Sequence, residues 1–223
     1  MCGRFTLRTP NRILLETFGL ESGPDFPIRF NIAPTQAVLA IRWNEPKQRE
    51  LVAMRWGLVP SWSKDVSIGN RMINARSETV AEKPAFRAAW KRRRALILAD
   101  GFYEWHPVEK GTKQPYFIHR RDERPFAFAG LWEHWPKVDP PLESCTILTT
   151  SASDLLRPIH DRSPVVLSPE DYDRWLDPEY ENLSSLKELL EPSVDEETFV
   201  MQPVSTRVNN PRHDRPDCIE PLD

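Results

Sequence analysis

Residues 95–105 read Ala-Leu-Ile-Leu-Ala-Asp-Gly-Phe-Tyr-Glu-Trp, an apolar run followed by a segment rich in aromatic side chains. The run at 95–99 is short, apolar and bounded by polar residues, which is typical of a β-strand. Similar runs occur on both sides of it. We predict strands at residues 37–43, 51–56, 95–99, 116–119, 126–131 and 146–150.

Helical spacing of apolar residues is found between and after these strands. Phe86 and Trp90 are four residues apart, which places both on one side of a helix. We predict helices at residues 12–20, 83–94, 169–176 and 183–190. The strands are joined mainly by turns and irregular loops, such as the polar turn at 44–46. An antiparallel or mixed sheet in an α+β fold is therefore favoured over a doubly wound sheet.

The composition excludes several classes of protein. The 223 residues are 39% hydrophobic, with eight Trp and ten Phe, which is enough for one sizeable core. No apolar run approaches the roughly 20 residues of a membrane-spanning helix. The cysteines Cys2, Cys145 and Cys218 form no CxxC pair, which argues against a disulfide scaffold and a structural zinc site. We expect a soluble, intracellular single domain over residues 1–223, without metal or cofactor.

Charge is unevenly distributed, although the formal net charge is only −3. Residues 71–94 carry eight basic side chains against two acidic ones, whereas residues 168–200 carry eleven acidic side chains against two basic ones. Two solvated faces of opposite sign are the simpler interpretation. The basic segment is also compatible with a surface that binds phosphate groups.

The N-terminus carries the most informative candidate for chemistry. Cys2 is small enough for the preceding Met1 to be removed, which would leave an N-terminal cysteine. Its α-amine has an ordinary pKa close enough to cellular pH for an appreciable fraction to be neutral. Such an amine attacks an aldehyde to give an imine, and the thiol can then close onto the imine carbon as a five-membered thiazolidine. The alternative is that Cys2 is an ordinary second residue.

Glu104 and His160 are candidates for proton transfer. Glu104 is predicted at the end of an apolar strand and is surrounded by aromatic residues, so burial can raise the pKa of its carboxyl group. His160 lies in a polar loop, where Asp161 is available as an orienting acceptor. A surface glutamate on an edge strand and an exposed histidine are the alternatives.

Three further residues have side chains suited to nucleic acid. In an extended segment, Asn74 and Arg76 share one face, where the amide could orient a reactant and the guanidinium could bind a phosphate. Trp62 lies in a loop beside basic residues, and an aromatic side chain there can stack on an unpaired base. Each signal is weak alone, and a tryptophan more often belongs to a core.

Seven blocks of sequence occur in order along nearly the whole chain: MCGRF (1–5), FNIAP (30–34), RWGLVPSW (55–62), INARSET (73–79), ADGFYEW (99–105), IHDR (159–162) and PVS (203–205). Taken together, these blocks resemble the SOS-response-associated peptidase family, whose members are also described as abasic site processing proteins. The resemblance implies a single domain with a β-rich, barrel-like core flanked by helices, and a thiazolidine link to an abasic site in single-stranded DNA.

The resemblance also implies a role for each matched residue. Cys2 corresponds to the nucleophile, Glu104 to the proton-transfer carboxylate and His160 to the residue that assists sugar opening and reversal. Asn74 corresponds to the residue that positions the reacting groups. The implied DNA contacts are Arg4, Asn31, Pro34, Trp62, Arg76 and Arg162. Ser63 departs from the family pattern, which has a second aromatic residue there, so we expect a smaller base-stacking wedge.

The resemblance implies an enzyme that crosslinks itself to abasic sites and shields them from strand cleavage. Reversal of the link, with lyase-like turnover, and removal of its own N-terminal residue are implied as further activities. We expect a cytoplasmic monomer, at the nucleoid in a bacterium; a replication-associated partner is left open. The alternatives are a thiol peptidase using Cys2 and His160, and a module that binds single-stranded DNA without a covalent link.

Overall fold

The computed structural model describes residues 2–44, 48–108 and 111–222. Within these ranges the strands are β1 Phe5–Leu7, β2 Arg29–Ile32, β3 Ala37–Trp43, β4 Arg49–Trp56, β5 Asn74–Arg76, β6 Arg94–Ala99, β7 Gly101–Pro107, β8 Lys113–Arg120, β9 Phe126–Trp135, β10 Leu142–Ser151, β11 Arg162–Pro164, β12 Val166–Leu167 and β13 Phe199–Pro203. The α-helices are α1 Asn11–Phe18, α2 Arg87–Arg92, α3 Tyr172–Leu176 and α4 Leu183–Glu188. None of the described helices has the length and apolar character needed to cross a bilayer.

Five strands close into a small barrel. The order around it is β10, β4, β3, β6 and β9, and the ring closes because β9 also pairs with β10. β10 runs parallel to β4, and the other neighbours in the ring are antiparallel. Gly130 of β9 leaves space for Ile97, since a Cβ at residue 130 would lie 2.6 Å from Cγ1 of Ile97. The closed mixed sheet and short helices confirm the predicted α+β fold with a barrel-like core.

A second, antiparallel sheet packs against the barrel. Its order is β13, β8, β7, β1 and β2. Phe5 of β1 contacts Trp56 and Phe128 edge-on, with ring centroids 5.1 and 5.8 Å apart, and Phe102 of β7 lies 5.9 Å from Phe128. Full burial of a Phe side chain contributes roughly 1.5–3 kcal/mol. Hydrophobic packing therefore holds β1 and β7 on the barrel.

A buried carboxylate fixes the N-terminal segment to this sheet. Asp100, between β6 and β7, accepts hydrogen bonds from the hydroxyl of Thr6 (2.6 Å) and from the backbone N–H groups of Arg8 (2.6 Å) and Thr9 (2.8 Å). The backbone N–H of Tyr103 donates to the residue 4 carbonyl oxygen (3.0 Å), which extends the pairing of β1 with β7 toward the chain start. The first residues are thereby placed against β7.

β10 positions the other elements of the site. It pairs with β4 and then β5 along one edge, and with β9 and then β11 along the other. Its C-terminal half is therefore flanked by two three-residue strands. Arg76 of β5 lies opposite Thr149, and Arg162 of β11 lies opposite Ser151. Strands this short owe their position to the longer strand between them.

The six predicted strands are present, most of them longer than predicted, whereas the helices are shorter. The segment predicted as a helix over 83–94 is helical only at Arg87–Arg92. Pro84 disfavours helical geometry at the preceding residue, and Arg94 pairs with Leu131 as the first residue of β6. Two residues of the predicted polar turn at 44–46 lie outside the described residues.

Arg94, at the end of the basic segment 71–94, does not contribute to an exposed basic surface. Trp90 of α2 packs against Trp175 of α3, with ring centroids 5.7 Å apart, which places the basic helix beside the acidic stretch. The guanidinium of Arg94 is buried and donates to backbone carbonyl oxygens, including that of Trp175 (2.5 Å). Burial lowers the pKa of Arg94 to about 10. Arg94 is therefore not available to bind phosphate.

Candidate active site

Cys2 is buried in the core that the two sheets share. Nδ2 of Asn74, on β5, donates a hydrogen bond to the carbonyl oxygen of Cys2 (2.8 Å). Oδ1 of Asn74 is also buried and has no hydrogen-bond partner among the described residues. Burial raises the pKa of the Cys2 thiol, and the nearby Glu104 carboxylate adds to the effect. Two predicted site residues, Cys2 and Asn74, are thus in contact, and Oδ1 of Asn74 remains able to accept a hydrogen bond.

Glu104 lies within β7 and not, as predicted, at the end of the preceding apolar strand. Side chains alternate along a strand, so Glu104 points to the same side as Phe102, which packs on the barrel. Only 2% of Glu104 is exposed. Burial raises the pKa of its carboxyl group, while the nearby His160 imidazole acts in the opposite direction. Glu104 is therefore a buried carboxyl group that can exist in the neutral form.

His160 lies just before β11. Its Nδ1 is 2.9 Å from the backbone nitrogen of Arg162 and 2.9 Å from Oδ1 of Asp161. These contacts require opposite states of Nδ1, because a backbone N–H needs an acceptor and a carboxylate needs a donor. The backbone contact is fixed by the chain, whereas the Asp161 side chain is 87% exposed. In the tautomer that accepts the backbone bond, Nε2 carries the proton of the neutral ring; in the tautomer that donates to Asp161, Nδ1 carries it.

An open cleft of about 630 Å³ is bordered by Glu104 and His160. Its other walls are formed by Arg4, Trp105, Lys113 and Asn209. Nε1 of Trp105 donates to Oδ1 of Asn209 (2.7 Å), and the Arg4 guanidinium lies 5.9 Å from the Trp105 ring centre. Sequence reasoning missed Trp105, Lys113 and Asn209 as cleft residues. Trp105 follows Glu104 directly and could have been included, whereas Lys113 and Asn209 belong to no recognisable motif.

A larger surface depression, of about 970 Å³, is also present. Its lining carries five acidic side chains and one basic one. Such a lining disfavours an anionic ligand. The smaller cleft, which contains the proton-transfer candidates, is therefore the better candidate site.

Asn31 positions Arg4 from inside the protein. Its side chain is fully buried, and its Oδ1 accepts a hydrogen bond from Nη1 of Arg4 (2.8 Å). Its Nδ2 lies 3.1, 3.1 and 2.7 Å from the carbonyl oxygens of Val208, Asn210 and His213. This corrects the expectation of a direct DNA contact by Asn31, because both ends of the amide are occupied. Asn31 therefore affects the cleft by holding the Arg4 guanidinium in position.

The C-terminal loop at 209–218 holds this arrangement in place. Asp214 accepts hydrogen bonds from two backbone N–H groups of β2, at 2.6 and 2.9 Å. His213, Asp217 and Cys218 each offer one atom that could bind a metal ion, and these three atoms lie within 4.8 Å of one another. Asp217 pairs with His213 and Arg207, both at 2.7 Å, and the Cys218 thiol donates to the His213 carbonyl oxygen (3.4 Å). These contacts explain the cluster of His213, Asp217 and Cys218 as part of what stabilises the loop, so we do not assign it as a metal site.

Arg76 and Arg162 flank the C-terminal half of β10 and differ in their surroundings. Arg76 is exposed. The side chain of Arg162 is only 12% exposed, donates to the carbonyl oxygen of Thr149 (2.6 Å) and forms an ion pair with both carboxylate oxygens of Glu78. Arg76 presents its charge to solvent, whereas the charge of Arg162 is balanced by a carboxylate.

The loop between β4 and β5 presents a single large aromatic ring. Trp62 is 59% exposed, and Pro34, after β2, is partly exposed. Ser63 is buried, its hydroxyl donates to the carbonyl oxygen of Asp65 (2.8 Å), and its own carbonyl oxygen accepts from Nε1 of Trp135 (3.0 Å). Ser63 therefore anchors the loop, and the aromatic surface is limited to Trp62.

The fold and the site define a closed β-barrel domain whose cysteine at position 2 lies near a buried carboxyl group, which in turn lies near an imidazole. The chain belongs to the family described as SOS response associated peptidase (SRAP), whose family model matches residues 1–211.

Relatives match over the full length of the chain. It is 41% identical over 224 residues to the abasic site processing protein YoqW of Bacillus subtilis, with 99% of each chain covered. It is 31% identical over 228 residues to the abasic site processing protein YedK of Escherichia coli, with 100% of each covered. A crystal structure of a Bacteroides thetaiotaomicron protein shares the fold, with a TM-score of 0.88 and 22% identity over 99% of this chain and 100% of that one.

Replacing Glu104 by Gln should make the protein more stable at neutral pH. The folded protein holds the pKa of Glu104 above its unfolded value, so ionisation lowers stability. The loss of stability begins as the pH rises through the pKa of glutamate in the unfolded chain, about 4.3, and is complete once the pH exceeds the pKa of Glu104 in the folded protein. Thermal unfolding from about pH 4 to about pH 8 should give a Tm difference between Glu104→Gln and wild type that grows with pH. Parallel Tm curves would contradict this assignment.

Proposed function

We propose that this protein captures abasic sites in single-stranded DNA by forming a covalent thiazolidine through Cys2. The observation that carries the proposal is the environment of Cys2, whose carbonyl is held by Asn74 and which lies near the buried Glu104. The abasic site processing proteins of B. subtilis and E. coli support it, because they match along the whole chain. The reactive amine requires removal of Met1, which lies outside the described residues.

The proposed reaction balances with the release of one water molecule. The abasic sugar opens to an aldehyde at C1′. The neutral amine of Cys2 adds to the aldehyde carbon to give a carbinolamine, which loses water to form an imine. The thiol then adds across the C=N bond, so that sulfur bonds to carbon and the thiol proton passes to nitrogen. Because burial raises the pKa of the thiol and keeps it protonated, the amine is the first nucleophile.

Three residues assist different steps of this sequence. Glu104, which can be neutral because burial raises its pKa, donates a proton to the hydroxyl group that leaves the carbinolamine and takes a proton back from the nitrogen as the imine forms. His160 donates from Nε2 to the ring oxygen as the sugar opens, and to the leaving atom when the thiazolidine reopens. The buried Oδ1 of Asn74 accepts a hydrogen bond from the Cys2 amine and orients it toward the aldehyde.

The DNA strand is proposed to reach the cleft across β5 and β11. Arg76 and Arg162 bind backbone phosphates on either side of β10. Arg4, held from within the protein, binds the strand at the cleft itself. Trp62 stacks on a base, and Pro34 adds an apolar contact. With Ser63 buried, stacking depends on one ring.

The two alternatives are less well supported. A thiol peptidase needs a thiolate, and burial raises the pKa of the Cys2 thiol, which disfavours that form. Removal of the protein's own first residue would serve to expose the Cys2 amine and belongs to the proposal. A non-covalent DNA-binding module would rely on Trp62 and Arg76, and its DNA affinity would not change if Met1 were retained.

Replacing Cys2 by Ser should abolish the heat-stable crosslink. Serine keeps the α-amine and forms the imine, but its hydroxyl is a weak nucleophile and does not close a stable ring. Proteins shown to lack Met1 are incubated with an abasic oligonucleotide, heated without reductant and separated on a denaturing gel. Cys2→Ser should give a shifted band only after borohydride trapping, whereas Cys218→Ser should behave as wild type. A heat-stable Cys2→Ser band without reductant would exclude the thiazolidine.

Glu104→Ala and His160→Ala should be impaired in different steps. A positioned acid or base contributes roughly 10²–10⁴-fold, so Glu104→Ala should form the crosslink more slowly by about that factor. His160→Ala should form the same adduct but release it more slowly. Adduct formation is followed over time on a labelled abasic oligonucleotide and then chased with excess unlabelled abasic DNA. Wild-type formation by Glu104→Ala, or wild-type release from His160→Ala, would refute the corresponding role.

A further inference from the structure

Arg162 is engaged by a carboxylate in the DNA-free protein. Its Nη1 and Nη2 contact the two oxygens of Glu78, which is the two-point geometry that arginine also uses for phosphate. The side chain of Glu78 is 52% exposed and that of Arg162 only 12%, so the Glu78 end of the ion pair faces solvent. The bond from Arg162 lowers the pKa of Glu78, and the Arg76 charge adds to the effect, so the carboxylate is ionised.

Glu78 is not the group that fixes Arg162 in place. Nη2 of Arg162 also donates to the carbonyl oxygen of Thr149 (2.6 Å), and Oγ1 of Thr149 lies 3.4 Å away. Pairing of β11 with β10 sets the backbone position of Arg162 opposite Ser151. The guanidinium is therefore anchored by the sheet, and the Glu78 carboxylate contacts both of its terminal nitrogens.

We propose that Glu78 occupies the phosphate-binding position of Arg162 and that a DNA strand must displace this carboxylate in order to bind. The inference rests on the proposed function and adds to it a competitor within the interface. Displacement is feasible because the Glu78 side chain is 52% exposed, so the released carboxylate becomes hydrated, while a phosphate oxygen replaces it on the Arg162 guanidinium.

Such a competitor suits a protein whose final state is covalent. Glu78 weakens the reversible binding of every strand, damaged or intact. The stability of the crosslink does not depend on that reversible affinity, whereas release from undamaged DNA does. The carboxylate therefore shortens unproductive residence on intact DNA and leaves capture of an aldehyde possible.

The test compares Glu78→Gln with a charge-matched control, Glu82→Gln, which removes a nearby exposed acid. Proteins lacking Met1 are titrated with an intact single-stranded oligonucleotide by fluorescence anisotropy over a range of salt concentrations. Relative to Glu82→Gln, Glu78→Gln should lower the Kd by about two- to fivefold. Its log–log salt slope should become more negative by up to about 0.7. In an Arg162→Ala background this difference between Glu78→Gln and Glu82→Gln should disappear.

Two outcomes would overturn the inference while leaving the proposed function intact. Weaker binding by Glu78→Gln would mean that the carboxylate positions Arg162, and an effect no larger than that of Glu82→Gln would mean that it does not compete. In both cases Arg162→Ala still weakens binding. If Arg162→Ala and Arg76→Ala both keep wild-type affinity and salt slope, the proposed DNA interface is itself wrong and the inference fails with it.

Discussion

The pairing of β1 with β7 is the contact on which the site depends. It sets the first residues of the chain beside Glu104, and it is held by the packing of Phe5 and Phe102 on the barrel and by the hydrogen bonds to Asp100. A chain terminus without such a contact samples many conformations, and ordering it would raise the barrier to reaction. With β1 fixed, the groups at Cys2 are in place before a substrate arrives.

The site carries two groups that are unfavourable to bury. Burial raises the pKa of the Glu104 carboxyl group and of the Cys2 thiol, so their charged forms are disfavoured in the folded protein. These shifts favour the protonated carboxyl group and the protonated thiol, which are the forms that the proposed chemistry uses. The closed barrel and the sheet packed on it supply the hydrophobic stabilisation that offsets these local losses.

The sequence predicted what depends on local pattern and missed what depends on distant contacts. Apolar runs identified the barrel strands, and the aromatic surroundings of Glu104 predicted its raised pKa. The three-residue strands that carry Asn74 and Arg162 have too little pattern of their own, since β10 places them. Contacts across 72 and 84 residues, from Asn74 to Cys2 and from Arg162 to Glu78, follow only from the folded chain. Family resemblance supplied the residue roles but could not foresee that Asn31 is buried.

Intact-mass spectrometry after reaction with an abasic oligonucleotide tests the central claim most directly. The account predicts a protein that begins at Cys2 and an adduct whose mass equals protein plus oligonucleotide minus one water. Brief borohydride treatment should leave that mass unchanged, because a thiazolidine has no C=N bond to reduce. An adduct that gains two hydrogen atoms on reduction, or one formed on a chain that retains Met1, would contradict the account.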